Sequence, residues 1–287
     1  MRKMFKNRKI ILEKKYNISY IGYMKPKKGQ RLRELICHWP SGAVYTQIYL
    51  TKAGYSADLV KSYRKAGWIE RVGTGAFKRC GDTVDWMGGM YAVQQQLGIR
   101  VHAGGRTALA LQGYAHYGRM KEDAAYLFGS HTVRLPKWFK VRDWGIKLNY
   151  KRTIFLPYDM DESFTEYRHR GVTIRISSLE RAIIEVVYLT PSEHGFDEAQ
   201  KLMELLAALR PRVIQSLLER CDSVRTKRLF LYLAEKADHP WFRRLDVGAI
   251  DLGSGNRMLV EGGKLNRKYM ISVPIQREKG REKKHLE

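Results

Sequence analysis

Helical spacing of apolar residues opens the readable part of the chain. Over Lys27–His38, Leu32, Leu35 and Ile36 recur at i, i+3 and i+4, the spacing of one helix face, and Trp39-Pro40-Ser41-Gly42 ends the run with turn chemistry. A second short helix is predicted over Val44–Thr51, with Val44, Tyr45 and Ile48 inward. Lys52-Ala53-Gly54-Tyr55 then makes a tight turn. A third helix starts at Ser56, a good N-cap residue, places Leu59, Val60, Tyr63 and Ala66 on one face, and stops at Gly67. Two β-prone runs, Trp68–Val72 and Ala76–Arg79, flank Gly73-Thr74-Gly75 and predict a hairpin. Helix, helix–turn–helix and hairpin in this order predict a winged helix-turn-helix.

Beyond Gly81 the pattern becomes mixed. Helices are predicted over Trp86–Leu97, from Gly104 to His116, and over Ser177–Leu189, Phe196–Leu209, Pro211–Cys221 and Val224–Lys236. In the third of these, Ser177 and Glu180 have the spacing of a capping box. Extended runs are predicted at Ile99–His102, Tyr126–Arg134, Trp144–Tyr150, Thr153–Pro157, Val172–Ile176, Met258–Val260 and Tyr269–Val273. The fold class expected is α+β, an N-terminal winged helix-turn-helix plus a larger mixed α/β domain. The divisions are a basic arm over 1–24, the winged module over 25–80, the larger domain over 81–276 and a basic tail over 277–287. The last three residues, His285-Leu286-Glu287, match the start of a purification tag.

Charge gives the pattern a partner. The 287 residues carry 53 Lys+Arg against 29 Asp+Glu, a formal net charge of +24. Up to Cys80 there are 19 Lys+Arg against 4 Asp+Glu; the remainder has 34 against 25. An excess concentrated on a helix-turn-helix is the electrostatic footprint of nucleic acid. Lys61 and Lys65, spaced i, i+4, fall opposite the third helix's apolar face, with Arg64 at its margin. They are the expected major-groove and phosphate contacts, with Ser56 at the helix start. Tyr45, Thr46 and Gln47 are expected to reach phosphates from the second helix, and Arg71, Thr74, Lys78 and Arg79 from the wing. The arm, with Glu13 as its one acidic residue, reads either as a phosphate-tracking extension or as an extra structural element.

Other chemistry is thinner. Cys37, Cys80 and Cys221 are far apart and form neither a CxxC nor a disulfide framework; they read as buried or half-buried thiols. There is no secretory leader and no apolar run of spanning length, so a soluble cytoplasmic protein is expected. No metal or cofactor is expected. His102 with Gly104-Gly105-Arg106 reads either as an anion-binding loop or as a turn that needs small residues. Asp159, Asp161 and Glu162 read either as a solvated loop or as ligands of a nuclease metal.

The string GGRTALALQGYAHYG, then ISSLERAIIEVVYLTP about 60 residues on, and AGWIERVGTGAFKR at the wing together resemble the AbiEi antitoxin family. Its members belong to type IV, abortive-infection toxin–antitoxin systems that confer phage resistance. The resemblance covers roughly Lys25 to Val273. It implies a non-enzymatic, autoregulatory transcriptional repressor whose winged module binds inverted repeats in its own promoter. It also implies that the larger domain counteracts a nucleotidyltransferase-like toxin without a stable complex. Lys61, Arg64 and Lys65 would be operator contacts, and Arg106 and Arg181 would lie on the antitoxin surface. The basic arm departs from the short N-terminus expected of the family. Two other readings stay open: a metal-dependent nucleic-acid enzyme targeted by the winged module, and a ligand-sensing transcription factor.

Overall fold

A computed structural model describes residues 28–114 and 124–275. The basic arm, the tail and the last four residues of the GGRTALALQGYAHYG string therefore lie outside the described residues. The chain divides into two units, one up to Trp39 and one from Pro40 onward. Within the first, α1 (Lys28–His38) buries Leu35 and half-buries Leu32 and Ile36, the face its spacing predicts. The Trp39 N–H closes it onto the Ile36 carbonyl at 3.4 Å.

The second unit opens with β1 (Tyr45–Thr46), α2 (Gln47–Lys52), α3 (Ala57–Lys65), β2 (Ile69–Gly73) and β3 (Ala76–Arg79). The strands form an antiparallel sheet in the order β1-β3-β2. The second helix is shorter than its sequence suggests. Val44–Thr46 is extended, and Thr46 is the N-cap, its Oγ1 accepting the Tyr49 N–H at 3.2 Å. Helical phase therefore starts at Gln47, so Leu50 turns inward and Ile48 is left 57% exposed. α3 is as expected. Ser56 Oγ accepts the Leu59 N–H, Val60 and Tyr63 are buried, and Gly67 sits at φ +77. Its N–H reaches the Arg64 carbonyl while the Trp68 N–H reaches that of Tyr63, the paired bonds of a Schellman stop.

The predicted Trp86–Leu97 helix is α4 (Trp86–Tyr91), capped by Asp85 and continued by a π-helical turn over Ala92–Gln96. The turn delivers Gln96 to the winged sheet. Its Oε1 accepts the Thr46 N–H and its Nε2 donates to the Val44 carbonyl, both at 2.8 Å. Gly88 in the same helix is dictated by close approach, since a Cβ there would lie 1.9 Å from the Gly42 carbonyl oxygen.

A five-stranded mixed sheet follows, ordered β6-β5-β4-β8-β7. Its strands are β4 (Val101–Ala103), β5 (Ala124–Gly129), β6 (Lys147–Arg152), β7 (Phe164–His169) and β8 (Val172–Ser177). Between them lie α5 (Gly105–Leu111) and a short helix, α6 (Lys137–Val141). α7 (Leu179–Tyr188) is buried on every side from Glu180 to Val187 and packs against α5, α8 (Phe196–Leu205), α9 (Pro211–Glu219) and α10 (Val224–Ala237). Three expectations change here. Thr153–Pro157 is not a strand: β6 ends at Arg152, and beyond the Thr153 N–H bond to the Gly129 carbonyl the segment leaves β5. β7 forms over a segment whose weak alternation gives no strand signal in the sequence. The α7 cap is Ser178, which frees Ser177 and Glu180 for other partners.

The last layer is a small sheet, ordered β10-β11-β9, of β9 (Arg257–Met258), β10 (Lys264–Asn266) and β11 (Ile271–Val273). Arg228 of α10, 2% exposed, ties it down. Its guanidinium donates to the carbonyls of Leu252, Gly253, Gly255 and Met270 at 2.5–3.1 Å, a rigid fork filling four acceptors. Among the described residues no helix is long and apolar enough to cross a membrane.

Candidate nucleic-acid interface

α3 holds its cations out. Lys61, Arg64 and Lys65 are all exposed, and among the described residues none of them makes an ion pair. The helix is locked at both ends by Ser56 and Gly67, so the three charges sit on a rigid rod rather than on a loop. Asp58 lies in its first turn, where a carboxylate complements the helix dipole. Gln47 at the start of α2 is half-buried, and its N–H donates to the Gly75 carbonyl at the wing at 2.8 Å. Its side-chain amide donates to Thr51 Oγ1.

The neighbouring candidates fare differently. Tyr45 is 5% exposed and Thr46 1%. Tyr45 is in β1, with burial pushing its phenol well above the ordinary range, and Thr46 is used as cap and as Gln96's partner. Neither side chain is placed to reach a phosphate, because the segment is strand and not helix. On the wing, Thr74 and Arg71 are exposed, with Arg71 Nε donating to the Gly73 carbonyl at 3.3 Å. Lys78 and Arg79 are half-buried and committed. Lys78 Nζ bridges Glu70 and the Asp82 carbonyl, and Arg79 pairs with Asp82 at 2.9 Å. The hydrogen bond from Lys78 holds the Glu70 carboxyl down at about 2.

In the larger part, Arg181 is not on a surface. It is 3% exposed and belongs to a buried network around Glu185, itself 0% exposed. Glu185 Oε1 accepts from Arg181 Nε at 3.0 Å and His102 Nε2 at 2.8 Å. Oε2 accepts the Gly105 N–H and Ser177 Oγ, both at 2.8 Å. Tyr158 O–H donates to His102 Nδ1 at 2.8 Å, which fits a neutral imidazole. Burial pushes the His102 pKa down. Burial pushes Glu185 up, but His102, Arg181 and Ser177 outweigh it and hold the carboxyl below its ordinary range. The two readings of the Gly104-Gly105 loop thus meet. It is a turn that needs small residues, and the anion at its helix start is the chain's own Glu185.

Arg106 is half-buried, pairs with Glu198 at 3.3 Å and lies over the Tyr126 ring. Glu180, free of capping, accepts two bonds from the Arg210 guanidinium and one from its N–H. Asp159 pairs with Arg220 and Asp161 with Arg175. Among the described residues no group of three or more His, Cys, Asp or Glu is arranged to hold a metal ion. Cys37 and Cys80 are exposed; only Cys221 is buried, its thiol pushed up to about 11 by burial. The sequence offered one signal for the buried network, a carboxylate set inside the apolar run AIIEVV.

These elements define an α+β protein with an N-terminal winged helix-turn-helix and a larger mixed domain. Comparison with known families gives two adjoining matches. A model described as "Transcriptional regulator, AbiEi antitoxin N-terminal domain" matches residues 28–120, and one described as "Transcriptional regulator, AbiEi antitoxin, Type IV TA system" matches residues 122–274. The chain belongs to the AbiEi antitoxin family of transcriptional regulators of type IV toxin–antitoxin systems. Comparison with curated proteins gives no match. Among solved structures, the fold is similar to that of the RV2827C protein from Mycobacterium tuberculosis, with a TM-score of 0.54 and 13% identity over 87% of this chain and 92% of that one.

Proposed function

We propose that this protein binds double-stranded DNA carrying inverted repeats in its own promoter, represses its operon, and acts as the antitoxin to a nucleotidyltransferase-like toxin. The observation that carries the DNA reading is the capped helix α3, which exposes Lys61, Arg64 and Lys65 with no carboxylate paired to them among the described residues. Phosphate neutralisation supplies affinity, and α3 supplies sequence preference. Gln47, Ser56, Arg71 and Thr74 complete the contact set; Lys78 and Arg79 shape the wing. The toxin-directed role falls to the larger domain in this reading, which family membership supports. It proceeds without a stable toxin–antitoxin complex, in a protein that works as a regulator rather than an enzyme.

Anisotropy titration on the protein's own upstream DNA tests the reading. With about 6–10 phosphates contacted, affinity is expected to fall by roughly 10³–10⁵ between 50 and 200 mM salt. Equal binding to scrambled DNA, or a flat salt response, overturns it. Co-expression with the neighbouring toxin tests the antitoxin half through rescue of growth.

A further inference from the structure

We propose that α6, a helix of the larger domain, is a second DNA-contacting element that carries the phosphate footprint past the wing; this rests on the DNA-binding reading above. The wing leaves room for such an element, because of its cations only Arg71 stays exposed, while Lys78 and Arg79 are neutralised by Glu70 and Asp82. α6 is seated directly on the wing. A Cβ at Gly73 would lie 2.6 Å from Trp138 Cβ and 3.3 Å from Trp138 Cα. Arg142, just past the helix, donates to the Val72 carbonyl at 3.2 Å and stacks over the Trp144 ring. The inner face of α6 is anchored by buried Trp138 and Phe139, and Trp144 Nε1 donates to the Phe139 carbonyl at 2.8 Å. The element is therefore held in place.

Its outer face is basic. His131 to Arg152 carries seven Lys or Arg against a single acidic residue, Asp143. Arg134, Lys137 and Lys140 are exposed, and among the described residues none of the three makes an ion pair or a side-chain hydrogen bond. Free cations on a rigid element beside a wing match the backbone of a duplex continuing beyond the wing. We assign these cations to phosphates rather than base edges, so the contact adds affinity without sequence information.

The test uses the full chain and two duplexes: the upstream inverted repeat trimmed to its ends, and the same repeat extended by about 10 base pairs, one helical turn, on each side. Wild type is expected to bind the extended duplex more tightly and with a steeper salt dependence. Lys137→Ala/Lys140→Ala is expected to lose that gain. Its log–log salt slope on the extended duplex falls by about 1.8, two contacts at about 0.9 each, while its preference over scrambled DNA is retained. An unchanged affinity and slope for this variant, with Lys61→Ala still impaired, overturns the role of α6 and leaves α3 standing. A lost sequence preference also overturns it, because α6 would then be acting through α3. If wild type itself shows no preference for its upstream DNA, the DNA-binding reading fails first.

Discussion

Gly104 and Glu185 approach so closely that a Cβ on the glycine would lie 2.2 Å from Glu185 Oε2. The same Cβ would lie 2.7 Å from the Phe128 ring, so neither side can give way cheaply. Gly104→Ala is expected to destabilise the protein by about 1–3 kcal/mol, the usual range for forcing a group into a packed interior. Urea unfolding checks it: the midpoint should fall with the slope unchanged.

Glu185 itself answers to four donors, so its removal strands a buried guanidinium. Glu185→Ala is expected to cost about 3–5 kcal/mol, because Arg181 keeps its charge and loses its counter-ion. Glu185→Gln keeps the shape but presents an N–H where a donor already points. Both variants should unfold earlier by calorimetry than Glu180→Gln, whose partner Arg210 is largely in solvent.

Acid should weaken this network in a defined direction. His102 and Glu185 both have folded-state pKa values below their ordinary 6.5 and 4.5. The unfolded chain therefore takes up these protons first. Their contribution is full above about pH 6.5 and drains as the pH falls through and below that range. His102→Gln is expected to flatten the loss between roughly pH 6.5 and 4.5 and to shrink the lower part, because His102 also helps hold the Glu185 carboxyl down. Urea midpoints measured at half-unit steps of pH would show it; an unaltered profile would remove His102 from the account.

The sequence made the winged module legible and the buried network almost invisible, for one reason. Helix caps, turn glycines and i, i+4 spacing are local, and Ser56, Gly67 and Lys61/Lys65 announce themselves within a dozen residues. The network joins His102, Tyr158, Ser177, Arg181 and Glu185, which meet only after β4, β8 and α7 have packed. Local reading gave Ser177 and Glu180 to a capping box because their spacing fits. The true cap lies one residue on; Ser177 reaches Glu185 two turns along, and Glu180 reaches Arg210 30 residues away. Val44–Thr46 misled in the same way, because its pairing with β3 overrides a helical pattern. Arg181, which the family resemblance put on the antitoxin surface, is held inside by a partner one helical turn away.

Arg228 offers a sharper contrast between charge and shape. Arg228→Lys keeps the charge but cannot span the four carbonyls, and is expected to cost about 3 kcal/mol. The loss should be local. Hydrogen exchange over 251–273 should accelerate well before α7 responds, whereas uniform acceleration would mean that the small sheet unfolds with the rest.

For the interface, Lys61→Ala and Arg64→Ala are each expected to weaken binding to upstream DNA by about tenfold or more at moderate salt, from lost phosphate neutralisation. Rescue of growth by co-expression should be largely retained. Thr46→Ala should instead lower thermal stability, by about 1 kcal/mol for a lost N-cap. Equal loss of DNA binding and rescue in Lys61→Ala would argue against a division of labour along the chain.

Gln96 bears on how this architecture can be exchanged between proteins. Its amide stands in for a neighbouring strand, serving the Val44 carbonyl and the Thr46 N–H from beyond the hairpin. A graft that stops at Cys80, where the composition changes, leaves both backbone groups without that partner and the Thr46 side chain without its acceptor. The smallest transplantable winged module therefore includes the π-turn. Recombination that respects the change in charge would cut through a hydrogen-bonded seam.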